Sequence, residues 1–273
     1  MDKCAGFFAE KGVPDPKIDA QTLLARAIGC KRLELFLHFE KPITEAELGK
    51  FREFARRRAK REPLQHILGD VDFFGVKVKC DRRALVPRPE TEELLDIITQ
   101  KYFADPSAEI SILDLGTGTG AIALALEKHF PNAKVRAADF SDVALELARE
   151  NAAAIASRAE FVKSDWFSNM EGKFDLIVAN PPYLTRAELE SAQAEVRQFD
   201  PVSALVAEDD GMADLKKIIS AAPEFLNAGG LLACECGLGQ PERLASEFAA
   251  LYALIETGKD LSRRTRYLFC RKA

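Results

Sequence analysis

The sequence predicts an α/β protein, with a mostly parallel sheet covered by helices on both faces and a smaller helical domain ahead of it. Three observations predict this. From residue 110 onward, short apolar strands alternate with helical patterns, which is the rhythm of βαβ units. One strand runs through a glycine-rich turn straight into a helix at 114–126, as ligand-binding open sheets do. The first 62 residues carry helix-period patterns, and the texture changes at Pro63. At 273 residues the chain exceeds the roughly 100–200 residues of one ordinary core. Two unequal domains are therefore expected: helical at 1–62, a connector with a short β-hairpin at 63–86, and the α/β domain at 87–273.

The elements follow in order. Asp19 is placed to cap a helix carrying Leu23, Leu24, Ala27 and Ile28 that stops at Gly29, and Thr44 with Glu47 reads as a capping box for the next. In that second helix Leu48, Phe51 and Ala55 form an apolar stripe, with Lys50, Arg52, Arg56, Arg57 and Lys60 largely off it. Alternation with β-branched and aromatic residues at 71–80 predicts the hairpin. The two prolines of LVPRPETEELLDII fix an extended approach to a helix whose first turn is acidic. Strands are then expected at ISILDL, KVRAAD, EFVKSD, KFDLIVAN, 230–236 and 266–271, and helices near 119–130, 142–155, 211–222 and 241–250.

Composition excludes several classes. A hydrophobic share of 47% and a charged share of 30% describe a globular protein rather than a disordered or fibrous one. No apolar run approaches the roughly 18 residues of a membrane span, and Lys11 interrupts the N-terminal stretch before it could read as a secretory signal, so a cytoplasmic protein is expected. Cys4, Cys30, Cys80, Cys234, Cys236 and Cys270 are scattered and read as free thiols. The C-x-C pair Cys234 and Cys236 falls where strand alternation turns both to one face, which points to packing and to no metal. His38, His66 and His129 stand alone. A net charge of -5 argues against a surface built to grip nucleic acid, which needs clustered cations. The one basic run lies at 50–62.

The candidate site begins at ILDLGTGTGAIALAL. Gly116, Thr117, Gly118, Thr119 and Gly120 form a turn that lets the backbone approach a ligand at a helix N-terminus. The glycine spacing also fits a dinucleotide fingerprint. Charge separates the two: Asp114, Asp139 and Asp165 gather at strand ends and no Lys or Arg lies in the loop. That suits S-adenosylmethionine, with its sulfonium and ammonium and no phosphate, better than a pyrophosphate. Asp139 is placed for ribose hydroxyls, and Asp165 and Trp166 for the adenine edge and face.

The strand KFDLIVAN ends in Asn180, Pro181, Pro182 and Tyr183. Two prolines cannot donate backbone hydrogen bonds, so carbonyls at the strand end become available to a ligand. The Asn180 side-chain oxygen and a proline carbonyl suit the two hydrogens of a planar NH2 group, with Tyr183 against its plane. Such a nitrogen is a poor nucleophile, so orienting it is much of the catalysis, worth ~7–11 kcal/mol in favourable cases.

Five segments in order, LVPRPETEEL, DLGTGTGAIALAL, SDWF, FDLIVANPPYL and KDLSRRTRYL, resemble the PrmC/HemK family of protein-(glutamine-N5) methyltransferases that modify peptide chain release factors. The likeness runs over essentially the whole chain. It implies a class I, S-adenosylmethionine-dependent, Rossmann-like fold with a seven-stranded sheet and a small N-terminal helical domain, whose size and basic face lead to the expectation that it docks the release factor body. It also implies a methyl acceptor, the glutamine of the Gly-Gly-Gln motif, and S-adenosylhomocysteine as product. Gly116 to Gly120, Asp139 and Trp166 would then contact the cofactor, Asn180 to Tyr183 the glutamine amide, and Arg88 and Glu90 would lie near the pocket. The chain departs from the family pattern at His66, Phe140 and Asp200. A monomer without membrane or stable nucleic-acid partners is expected. The rival readings are an adenine-N6 methyltransferase acting on DNA or RNA, a ribosomal-protein glutamine methyltransferase and a non-enzymatic cofactor-binding module.

Overall fold

A computed structural model describes residues 1–37 and 42–273, so His38 lies outside the described residues. The chain divides into two compact units, Met1–Asp70 with Gln193–Phe199, and Val71–Ala192 with Asp200–Ala273.

The first unit is helical. Helices α1 (Asp2–Glu10), α2 (Pro16–Ile28), α3 (Glu45–Ala59) and α4 (Leu64–Leu68) bury Phe8, Leu23, Phe54 and Ile67 in one cluster, with Phe51 and Ala55 packed against it. Each such side chain contributes about 1.5–3 kcal/mol when fully buried. Helix α3 starts at the predicted capping box, where Thr44 Oγ1 accepts from the Glu47 N–H and the Glu47 carboxylate accepts from the Thr44 N–H at 2.8 Å. Helix α2 differs from expectation. It begins one turn earlier, with Asp15 at the N-cap and Pro16 at N1, and ends as expected at left-handed Gly29.

Asp19 is therefore buried inside the helix. It accepts from Arg58 at 2.6 Å, and Arg58 also meets Glu195, which Arg61 grips in turn at 2.5 Å. Burial works against the Glu195 carboxylate, yet bonds from Arg61 and Arg58 hold it below the usual range. The basic run is thus two populations. Arg57 bonds to Glu62 and to the His66 carbonyl, and Arg58 and Arg61 belong to the ion network. Lys50, Arg52, Arg56 and Lys60 are exposed.

The second unit opens with a two-stranded hairpin, β1 (Asp70–Phe73) and β2 (Val76–Lys79), then α5 (Pro89–Ile97). There follow β3 (Ser111–Leu115), α6 (Ala121–His129), β4 (Lys134–Asp139), α7 (Asp142–Ala154), β5 (Glu160–Lys163) and β6 (Phe174–Ala179). Short helices α8 (Arg186–Ser191), α9 (Ala194–Phe199, counted with the first unit) and α10 (Glu208–Gly211) precede α11 (Ala213–Phe225), β7 (Leu226–Glu235), α12 (Gln240–Glu247), β8 (Leu254–Lys259) and β9 (Thr265–Arg271). The seven-stranded sheet runs β5-β4-β3-β6-β7-β9-β8, parallel as far as β7, with β9 antiparallel to both its neighbours. Strand β8, an edge strand with no fully buried residue, was not among the strands expected from the residue pattern, because its apolar alternation is weak.

Period-two alternation sorts the strands between two cores. Ile112, Leu176, Val178 and Leu231 enter one cluster with α5 and α6. Leu113, Ile177, Ala179 and Leu232 enter the other with α11 and α12. Cys234, Cys236 and Cys270 share that second cluster, and burial pushes all three thiols up. Among the described residues no helix is long and apolar enough to cross a membrane.

Candidate active site

After β3 the chain joins β4 on one side and, later, β6 on the other. Open α/β sheets form clefts at the carboxyl ends of strands around such a reversal. Here a cavity of about 630 Å³ lies there, within the usual range of small-molecule sites.

The three loop glycines all have positive φ, +72° at Gly116, +54° at Gly118 and +83° at Gly120, but their surroundings differ. A Cβ on Gly116 would stand 3.2 Å from the Trp166 indole, and one on Gly120 would stand 3.2 Å from the Ala148 Cβ in α7. On Gly118 the nearest neighbour would be Ala84, at an ordinary 3.7 Å. Gly116, Thr117, Gly118 and Thr119 line the cavity together with Ala84. Gly120 is buried and outside the lining; it lets α6 and α7 approach.

Asp114 also lies outside the lining, contrary to the expectation that its charge faces the ligand. It is fully buried beneath the loop, where its Oδ2 accepts from the Thr117 hydroxyl at 2.5 Å and the Ala123 N–H at 3.2 Å. Burial lifts its carboxyl to about 7. It braces the loop and the first turn of α6.

Asp139, at the end of β4, does line the cavity. Its Oδ2 accepts from the Gly118 N–H at 2.8 Å and its Oδ1 from the Ser141 N–H at 2.9 Å. Burial raises this carboxyl, and those N–H donors pull it back. Each carboxylate oxygen keeps further acceptor capacity. Phe140, one of the departures from the family pattern, is 55% exposed and forms part of the same wall. Beyond β5, exposed Asp165 and partly buried Trp166 also line the cavity. Trp166 takes a positive φ of 48° and its indole N–H donates to Asp214 Oδ1 at 3.2 Å.

Beyond the end of β6, Asn180 and Pro182 reach the cavity, whereas Pro181 is buried and Tyr183 lies behind the wall. The Asn180 amide N–H donates to Thr91 Oγ1 at 3.0 Å, the Thr91 hydroxyl donates to Glu235 Oε2 at 2.6 Å, and the Tyr183 hydroxyl donates to Glu235 Oε1 at 3.0 Å. Glu235 is 1% exposed. Tyr183 has the Arg266 guanidinium 5.7 Å from its ring centre, and burial with the nearby Glu235 charge pushes its hydroxyl up. Arg88 is in the lining and donates to buried Asp200 at 2.5 Å. Glu90 is outside the lining, 3.8 Å from Arg264, and its backbone carbonyl accepts from the Tyr267 hydroxyl.

Sequence reasoning missed Thr91, Asp214 and Glu235. Thr91 sits inside the quoted PRPETE segment, where a signal existed; Asp214 and Glu235 are ordinary acids in a helix and at a strand end. The cavity wall carries Asp139, Asp165 and Asp214, while two of its arginines are already engaged, Arg83 by Asp81 and Glu150, and Arg88 by Asp200. Such a wall fits a cationic ligand without phosphate.

The PrmC N-terminal domain family matches residues 1–69, and the methyltransferase small domain family matches residues 91–199. The chain is 39% identical to the release factor glutamine methyltransferase of Geobacter sulfurreducens, over 91% of this chain and 87% of that protein. It is likewise 39% identical to the protein of the same name from Chlorobaculum tepidum, over 97% and 93%. Among solved structures, a methyltransferase from Pyrococcus furiosus superposes with a TM-score of 0.54 at 22% identity, covering 73% of this chain and 90% of that one. That likeness concerns the fold.

Proposed function

We propose, from the premise that this chain belongs to the release factor glutamine methyltransferase family, that its cavity binds S-adenosylmethionine and that it methylates the side-chain amide nitrogen of the release factor Gly-Gly-Gln glutamine. The observation that carries this reading is Asn180. It stands on the wall of the cavity that Asp139 and the glycine loop also line, and its amide nitrogen is engaged by Thr91. Its side-chain oxygen is thereby left to accept from an incoming NH2 group.

Asp139 would hold the ribose hydroxyls, and Gly116 to Thr119 would let the backbone approach the cofactor. Asp165 and Trp166 would meet the adenine edge and face. When bound, S-adenosylmethionine supplies an electrophilic methyl group, and S-adenosylhomocysteine is the product. The Asn180 oxygen and a carbonyl of the Pro-Pro turn would fix the two amide hydrogens and so aim the nitrogen. Tyr183 braces this turn from behind through Glu235. Arg88, held by Asp200, would border the entry for the substrate loop.

The first unit is assigned to docking the body of the release factor. Exposed Lys50, Arg52, Arg56 and Lys60 support this role. A monomeric cytoplasmic enzyme is the matching expectation.

The deciding experiment incubates the protein with methyl-labelled cofactor and either release factor or unpaired nucleic acid, and locates the label by mass spectrometry. Label on the Gly-Gly-Gln glutamine is expected. Label on adenine alone would overturn the acceptor assignment. Asn180→Ala should abolish transfer while still binding cofactor, and near-normal turnover would reject its role.

A further inference from the structure

We propose that Thr91 and Glu235 are positioning residues that fix which end of the Asn180 amide faces the cavity, and so restrict the acceptor to a group that donates hydrogens. The inference rests on the reading of Asn180 given above and names the residues that make it work.

The available protons fix the direction. A carboxylate accepts hydrogen bonds and cannot donate them, whereas a threonine hydroxyl has a single proton. Glu235 sits at the end of β7 with Thr91 Oγ1 2.6 Å from one oxygen and the Tyr183 hydroxyl 3.0 Å from the other. Both hydroxyl protons must therefore point at Glu235. The Thr91 oxygen is left as an acceptor, and only the NH2 end of Asn180 can satisfy it, at 3.0 Å. The amide is locked with its oxygen as the remaining end, and an incoming NH2 group meets an acceptor. An acceptor-only group offered to the same spot would meet a lone pair.

The same chain explains why an acid occupies so unfavourable a place. Glu235 is 1% exposed, and burying a carboxylate is costly unless it is hydrogen-bonded. Leucine would avoid that cost but would leave two buried hydroxyls without an acceptor. A glutamine could donate from its NH2 to the Thr91 oxygen, and the Thr91 hydroxyl could then donate to the Asn180 oxygen and turn the Asn180 NH2 towards the cavity. Among residues of this size, the ionised acid enforces the direction. Burial raises the Glu235 carboxyl, and the bonds from Thr91 and Tyr183, with the positive charge of Arg266 beside the Tyr183 ring, oppose that shift and favour the ionised form. Thr91 and Glu235 come from segments 144 residues apart, so a contact between them alone would be unremarkable. What marks this pair is its connection to both polar side chains of the Asn-Pro-Pro-Tyr turn.

The test uses the full chain with whole release factor and compares Thr91→Val, which keeps the shape and removes the hydroxyl, with Thr91→Ser, which restores it. Thr91→Val should lower kcat by ~100-fold, the scale of losing one oriented polar group at a reacting centre. KM for the release factor and Kd for S-adenosylmethionine should stay within about threefold, because valine keeps the shape of the Thr91 side chain where it lines the cavity. Thr91→Ser should recover kcat to within about threefold of wild type. A Thr91→Val enzyme with wild-type kcat, or a Thr91→Ser enzyme as impaired as Thr91→Val, overturns the proposal. If Thr91→Val fails to bind cofactor, Glu235→Gln decides in its place: reduced kcat with intact cofactor binding supports the relay, and unchanged kcat removes it. Asn180→Ala, run in parallel, separates the two levels. Full activity there defeats the acceptor reading itself, whereas an inactive Asn180→Ala beside a normal Thr91→Val defeats the relay alone.

Discussion

Replacing Gly120 by alanine should damage stability rather than cofactor affinity, although it belongs to the motif expected to hold the cofactor. Gly120 has φ +83°, and a non-glycine residue in the left-handed region costs roughly 1–2 kcal/mol. The new methyl would stand 3.2 Å from the Ala148 Cβ and 3.4 Å from its Cα. The first of these is tighter than an ordinary contact, and an alanine Cβ has no rotamer by which to yield, so α7 must give by a few tenths of an ångström; overpacking of that kind costs about 1–3 kcal/mol. The sum is about 2–5 kcal/mol. At about 2–4 °C per kcal/mol for a domain of this size, the second unit should melt ~4–20 °C lower by scanning calorimetry of the full chain. Gly118→Ala is the control. Its methyl meets only Ala84 at 3.7 Å, so it adds backbone strain without a clash, and it projects into the cavity wall. It should weaken cofactor binding in titration calorimetry more than Gly120→Ala does, with the smaller loss of melting temperature. The reverse pattern, a stable Gly120→Ala that loses cofactor, would refute the division of roles among the glycines.

Three further outcomes follow from the same geometry. Asp139→Ala removes the acceptor for the Gly118 and Ser141 N–H groups and, on the proposed reading, for ribose; a loss of about 1.5–3 kcal/mol means ~10- to 100-fold weaker cofactor binding by calorimetry. Asp114, with its carboxyl raised to about 7, takes up a proton in the folded state at a pH where the unfolded carboxyl, near 3.9, is still ionised. Its contribution to stability is therefore greatest below about pH 4 and is lost as pH rises through about 7, an effect of ~4 kcal/mol; Asp114→Asn should flatten that part of the stability profile relative to wild type in urea titrations at pH 5 and pH 8. Charge reversal at Arg52, Arg56 and Lys60, chosen because Arg57 and Arg58 are internally paired, should raise KM for whole release factor severalfold with little change in cofactor Kd, and an unchanged KM removes the docking role.

Local signals carried every strand of the large sheet except β8, and most of the helices, because each is written in consecutive residues. The run FDLIVA shows both its burial and its alternation, and the structure divides Leu176 and Val178 from Ile177 and Ala179 between two cores. The errors arose where a nearby residue offered one partner and a distant residue supplied another. Asp19 has the composition of a cap, but Pro16 can begin the helix earlier and Arg58, 39 positions away, takes the carboxylate. Arg57 looks like part of a solvated basic face until Glu62 and the His66 carbonyl fold back on it.

The candidate site divides along the same line. Glycines, prolines and the strand-end acids have side-chain or backbone properties that announce a turn or an acceptor wherever they stand, so the loop and the Asn-Pro-Pro-Tyr corner could be read directly. Direction could not. Whether Asn180 offers oxygen or nitrogen to a ligand depends on where the Thr91 proton goes, and that depends on Glu235, which nothing in the stretch LLACEC distinguishes from any other acid at a strand end. Periodicity has no means of recording the orientation of a hydrogen bond. A motif can name the residue that touches the substrate, while the chemistry that residue presents is set by side chains delivered from other strands and helices.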